Sequence, residues 1–191
     1  MRLTLALIPA ALLALSACDK SEQPSADGNS VGADMPADAT ASGASAADAM
    51  PSGAQAFVDA AAASDSFEIE SSKLAQTMGK ASGVKAFAAM MVKDHTKSTA
   101  DLKAAAAKAN PAVNVAPKLT AEQQADLDAL KGAGDNFDKL YAEKQVGGHE
   151  KALAMLKAYA DNGSDPALKA FAAKGVPVVS GHLDQAKQLP K

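Results

Sequence analysis

The chain is short of most things that catalysis or nucleic-acid binding draws on. It holds one cysteine, no tryptophan, two tyrosines and five phenylalanines in 191 residues. A lone thiol cannot close an internal disulfide. Aromatics at 4% supply few platforms for stacking bases, and a formal net charge of −3 gives no excess of cations for phosphates. Nucleic acid is therefore excluded as a partner. A Gly-rich phosphate loop, paired catalytic carboxylates and a nucleophile beside a base are all missing from the pattern, which points away from an enzyme.

Long apolar runs are scarce too. A membrane-spanning helix needs about 20 apolar residues, and Leu3 to Leu15 offers thirteen, interrupted by Pro9. With Arg2 before it, the run fits the apolar stretch of a secretory signal over residues 1–17. It ends in "LSAC", Leu15 to Cys18, which resembles a bacterial lipobox, where the cysteine is lipidated and becomes the mature N-terminus. An ordinary signal cleaved after Ser16 is the alternative. Lipidation of Cys18 accounts for an otherwise unexplained odd thiol in an exported chain, and several acyl chains anchor stably where one would not. The expectation is a cell-envelope lipoprotein held to the membrane and facing the periplasm. Asp19 resembles the inner-membrane retention signal of enteric lipoproteins.

Residues 18–53 follow as a lipidated cysteine and an acidic linker. Between Asp19 and Gly53 there are six acidic residues and one lysine, and no aromatic residue. Such a stretch buries too little apolar surface to offset its ordering entropy, so a disordered tether is expected. As a flexible coil it would span about 30 Å.

Residues 54–191 carry 17 lysines against 16 carboxylates and are dominated by helix formers. An all-α domain follows. Four long helices are expected: about Gln55 to Met78, from an N-cap at Ser82 to about Ala109, about Asp135 to Asp161, and from the Asp165 cap with Pro166 at the first position onward. The inward residues read as Phe57, Ser64, Phe67, Leu74 and Met78 on the first. On the second they are Val84, Ala88, Met91, His95, Ser98, Leu102 and Ala105, whose four-three spacing is that of a bundle seam. Phe137, Tyr141, Ala152, Met155 and Tyr159 face inward on the third. On the fourth, Leu168, Phe171, Val178, His182, Ala186 and Leu189 do, and Pro177 should kink that helix. Thr120 with Gln123 forms a capping box for a short extra helix in the second connection.

The runs "FEIESSKLA", "VKAFAAMMVKDHTKSTADLKAAA", "FDKLYAEKQVGGHEKAL" and "DPALKAFAAKGVPVVSGHLDQA" resemble a bacterial family of unknown function. Its members are described as outer-membrane or periplasmic proteins and grouped with ferritin-like bundles. The resemblance implies a ferritin-like four-helix fold and an envelope location, and no reaction. Its outer-membrane label and the Asp19 signal point to different membranes.

Glu68, His95, His149 and His182 each lie about half a helix from a bundle end, so at about 1.5 Å per residue they share one level. His95 and His182 sit inside apolar stripes, while Glu68 and His149 fall on the flanks. A ferritin-type iron site needs Glu-x-x-His motifs, yet Val92, Val146 and Val179 stand three before the histidines. Ferroxidase chemistry is not expected. A single Zn or Cu site of the three histidines with Glu68 stays open, because imidazole suits both ions. The alternative is core histidines bonded to Asp94, Asp138 or Tyr141. Met78, Met90, Met91 and Met155 are soft enough for copper but read as packing. Gly147-Gly148 beside His149 permits close helix contact or ligand access. Two functions remain: a tethered module binding an envelope protein, polymer or lipid, or a metal-binding bundle.

Overall fold

The computed structural model describes residues 53–190. The expected signal segment, Cys18 and the expected linker up to Ser52 lie outside the described residues.

The described chain is all-helical, with α1 at Ala54–Met78, α2 at Ser82–Ala106, α3 at Ala121–Gly132, α4 at Phe137–Asn162 and α5 at Pro166–Ala186. A single 3-10 turn at Gly134–Asn136 leads into α4. α1 and α2 form one antiparallel hairpin, α4 and α5 another, and α2 packs on α5 as α1 packs on α4. Asp138 at the start of α4 accepts the backbone N–H of Lys80 and Ala81 at the α1–α2 turn. At the opposite end, Asp165 before α5 accepts the N–H of Asn110 beyond α2. The connection from α2 to α4 therefore crosses the bundle lengthwise, and α3 rides in it against α1 and α4.

Local chemistry starts the helices. Thr120 and Gln123 close a capping box on α3. Asp165 caps α5 through the N–H groups of Ala167 and Leu168, with Pro166 in the first turn. The expected cap at Ser82 is displaced: Ser82 is already helical, Ala81 holds the cap position, and the Asp138 carboxylate arrives from α4 to satisfy the free N–H groups instead. α5 runs unbroken through Pro177.

Two apolar clusters fill the bundle above and below its middle. One gathers Phe57, Leu102, Leu156, Tyr159 and Leu168, with the Phe57 and Tyr159 rings stacked. The other gathers Val84, Met91, Leu130, Phe137 and Tyr141. Met78 and Met90 pack against this second cluster and Met155 belongs to the first, as core packing requires. Val178, expected inside, is 49% exposed, and its neighbour Val179 takes the buried place.

Candidate metal centre

Between the two apolar clusters the core turns polar. Asp65, Glu68, Ser71, Ser72, His95, Gln145, His149 and His182 are all buried there. The three imidazoles come from α2, α4 and α5, and their ring centroids lie 5.5–5.8 Å apart. One ring nitrogen from each falls within 4.8 Å of the others. The shared level expected for the histidines is what brings them together.

Each ring is held from behind. His95 Nδ1 lies 2.8 Å from Asp65 Oδ1, and the Thr99 hydroxyl donates to the other Asp65 oxygen at 3.2 Å. His149 Nδ1 lies 2.8 Å from the Gln145 carbonyl one turn earlier in α4. His182 Nε2 lies 3.2 Å from Asp94 Oδ2. Carboxylates and carbonyls here accept, so the bonded nitrogens carry the protons and these partners assign the tautomers. The opposite nitrogens, His95 Nε2, His149 Nε2 and His182 Nδ1, are buried without a hydrogen-bond partner among the described residues. An unpaired buried acceptor costs about 1–3 kcal/mol, and three imidazoles brought this close, each with one unpartnered nitrogen, have the composition and spacing that could hold a metal ion. Imidazoles oriented by carboxylate and carbonyl groups are the usual arrangement around a bound ion.

Charge follows from this setting. Burial, helped by the nearby His95, pushes the His149 imidazole down to about 3. Burial first and His95 second also lower His182. Burial opposes charge on His95 as well, but the Asp65 hydrogen bond and the charges of Glu68, Asp65 and Asp94 outweigh it and raise its pKa. Burial pushes the Glu68 carboxyl up to about 7, against the pull of His95 and the Gln145 side chain. Burial thus favours the neutral ring at His149 and His182, while the Asp65 contact favours the proton on His95.

The other sequence-nominated residues separate at this point. Glu68 is buried with the histidines, but its Oε1 lies 3.7 Å from His149 Nδ1, the nitrogen already bonded to Gln145. It stands behind His149, outside the convergent set. Asp94, one of the three candidate partners, lies beside His182. Asp138 does not partner a histidine, because the free N–H groups at the α1–α2 turn engage it at the bundle end. Tyr141 bonds Ser72 at 2.8 Å rather than an imidazole. Gly148 gives α4 its close approach to α1: a Cβ there would sit 3.0 Å from Glu68 Oε1, whereas one on Gly147 would meet nothing within 4 Å.

Asp65 and Gln145 escaped the sequence reading. Asp65 had a signal, since Phe57, Ala61, Asp65, Glu68, Ser72 and Ala75 recur at four- and three-residue steps and all are buried. The large apolar residues of α1 dominate its sequence pattern and point its apparent inward face away from that stripe.

A sequence profile described as "Domain of unknown function (DUF4142)" matches residues 39–189. Among curated proteins none matches. Among solved structures, "CopM in the Cu(II)-bound form" is similar with a TM-score of 0.61 and 19% identity, covering 71% of this chain and 94% of that one. "CopM in the Cu(I)-bound form" is similar with a TM-score of 0.59 and 19% identity, over 70% of this chain and 92% of that one. The silver-bound form of CopM is similar at the same TM-score and 18% identity, over 71% and 93%. At these identities the likeness establishes a shared helical fold. The family match covers most of the chain, which therefore belongs to the DUF4142 family of domains of unknown function.

Proposed function

We propose that this domain is a binding rather than a catalytic protein, and that it holds one copper ion between His95, His149 and His182. The observation that carries the reading is the convergence of three buried imidazoles from three helices, each with one ring nitrogen that has no hydrogen-bond partner among the described residues. Imidazole alone suits zinc and copper alike. Copper is preferred because solved bundles of similar fold are Cu(I)-, Cu(II)- and silver-bound forms of CopM. Three protein ligands leave a further coordination position for exchange, as in metal sites that turn over their ligands. The lipobox-like "LSAC" supports the companion proposal that lipidated Cys18 tethers the bundle in the cell envelope.

Competition of the purified full chain against a Cu(I) chelator tests the reading. Expected is one tightly held ion per chain, abolished by His95→Ala combined with His149→Ala. A folded wild-type chain that takes up neither copper nor zinc overturns it.

A further inference from the structure

A four-helix bundle offers four sides by which an ion could reach its middle, and three are closed here. The α1–α2 and α4–α5 hairpins close two of them, with Gly175 letting α5 approach so near that a Cβ there would lie 3.1 Å from Leu156 of α4. The third side, between α1 and α4, is covered by α3, whose Leu127 and Leu130 are buried. The fourth side is different. Between α2 and α5 runs a groove of about 870 Å³, mostly apolar, floored by Ala61 and Met155. It follows α5 from Ala167 to His182, about 22 Å at the helical rise. His95, His182 and their partners Asp65 and Asp94 line it, and His149 does not.

The three imidazoles are also unequally held. His95 is fixed by Asp65, and both side chains are shielded from water. His149 is fixed to a carbonyl of its own helix and packs beside Phe87, ring centroids 6.4 Å apart. His182 is held at the longer distance of 3.2 Å by Asp94, whose side chain is 33% exposed. Water competes for an exposed carboxylate, so this anchor is the weakest of the three. Ligand exchange proceeds where an incoming donor can approach and a resident ligand can leave. Both conditions meet at the inner end of the groove.

Resting on the copper-binding reading above, we infer that the metal enters and leaves sideways through the α2–α5 groove, with His182 as the exchanging ligand. His95 and His149 form the fixed half of the centre. An acceptor reaching in from the groove would meet the ion beside His182, whose Asp94 partner lies on the groove wall and could receive the released ring.

The test is the rate at which the full chain, loaded with one equivalent of Cu(I), gives its ion to bathocuproine disulfonate in a stopped-flow instrument. Ser98→Trp, one turn from His95 on the groove wall, and Val178→Trp on the opposite wall should each slow transfer about tenfold with copper still bound one per chain. Asp94→Asn should speed it by a similar factor, since loss of an orienting carboxylate costs ~10–100-fold in affinity and appears mainly in the off-rate. Ala100→Trp, on the exposed outer face of α2, should transfer at the wild-type rate. Both groove variants transferring as fast as Ala100→Trp overturns the route while leaving the copper site intact. Wild-type chain that binds no Cu(I) overturns both. Val178 is half-exposed, so its variant keeps the test decisive if Ser98→Trp folds poorly.

Discussion

His149 and Glu68 stand 3.7 Å apart in the core with pKa values displaced in opposite directions, and this sets how the metal-free chain meets acid. His149 is depressed from 6.5 to about 3. The stability its neutral form contributes is complete above 6.5 and is lost as pH falls toward 3. Glu68 is raised from 4.5 to about 7. Its contribution is complete below 4.5 and is lost as pH rises through 7. Acidification from 6.5 to 4.5 therefore weakens the fold through His149 and His182 and strengthens it through Glu68, and below 4.5 the loss at His149 acts without that offset. The urea midpoint of metal-free chain should therefore fall less steeply across the first interval, where Glu68 offsets part of the loss, than across the second. A midpoint that rises below pH 4.5 would contradict the burial of His149 as a neutral ring. At the same scale, Asp65→Asn keeps the shape but removes the charge behind His95. It should weaken copper binding ~10–100-fold in a chelator competition while the circular dichroism spectrum stays helical. Unchanged affinity would make Asp65 a core residue with no bearing on the metal.

At the scale of elements, the parts of the fold written in local chemistry were legible and the parts set by a distant partner were not. Thr120 with Gln123, and Asp165 with Pro166, announce helix starts because their hydrogen bonds are made within one turn. The start of α2 depends on Asp138, 57 residues beyond Ala81, and no window of sequence around Ser82 contains it. The inward face of α2 reads clearly because Val84, Met91 and Leu102 outline it. That of α1 is blurred, since alanine packs inside and outside alike and the polar residues Asp65, Glu68, Ser71 and Ser72 are buried. For the centre itself, helix lengths gave the level of the histidines. The ring-by-ring partners depend on side-chain directions that spacing does not encode. Asp165 permits a test at this scale. It serves two N–H groups of α5 and the N–H of Asn110, so Asp165→Ala should cost about 1–2 kcal/mol, the upper part of the range for a lost N-cap. Chemical denaturation would show it as a lower midpoint with unchanged slope, and an unshifted midpoint would show the cap to be dispensable.

For the whole molecule, the lengthwise crossover leaves the α2–α5 side of the bundle without the cover that α3 gives the opposite side. A polar layer of buried histidines and carboxylates separates two apolar clusters, so fold stability and the proposed copper site draw on the same core. The envelope proposal belongs to this scale. Cys18→Ser should leave the mature chain without an acyl addition and move it out of the membrane fraction. Intact mass of the wild-type chain checks this, and a mass with no acyl group would remove the anchor. The central claim is the three-imidazole copper centre, and X-ray absorption at the copper edge of the loaded full chain tests it most directly. The expected spectrum is a nitrogen-dominated first shell with the outer-shell scattering of imidazole rings, fitted by the three histidines that converge between α2, α4 and α5. A shell dominated by sulfur, or one without imidazole scattering, would contradict it.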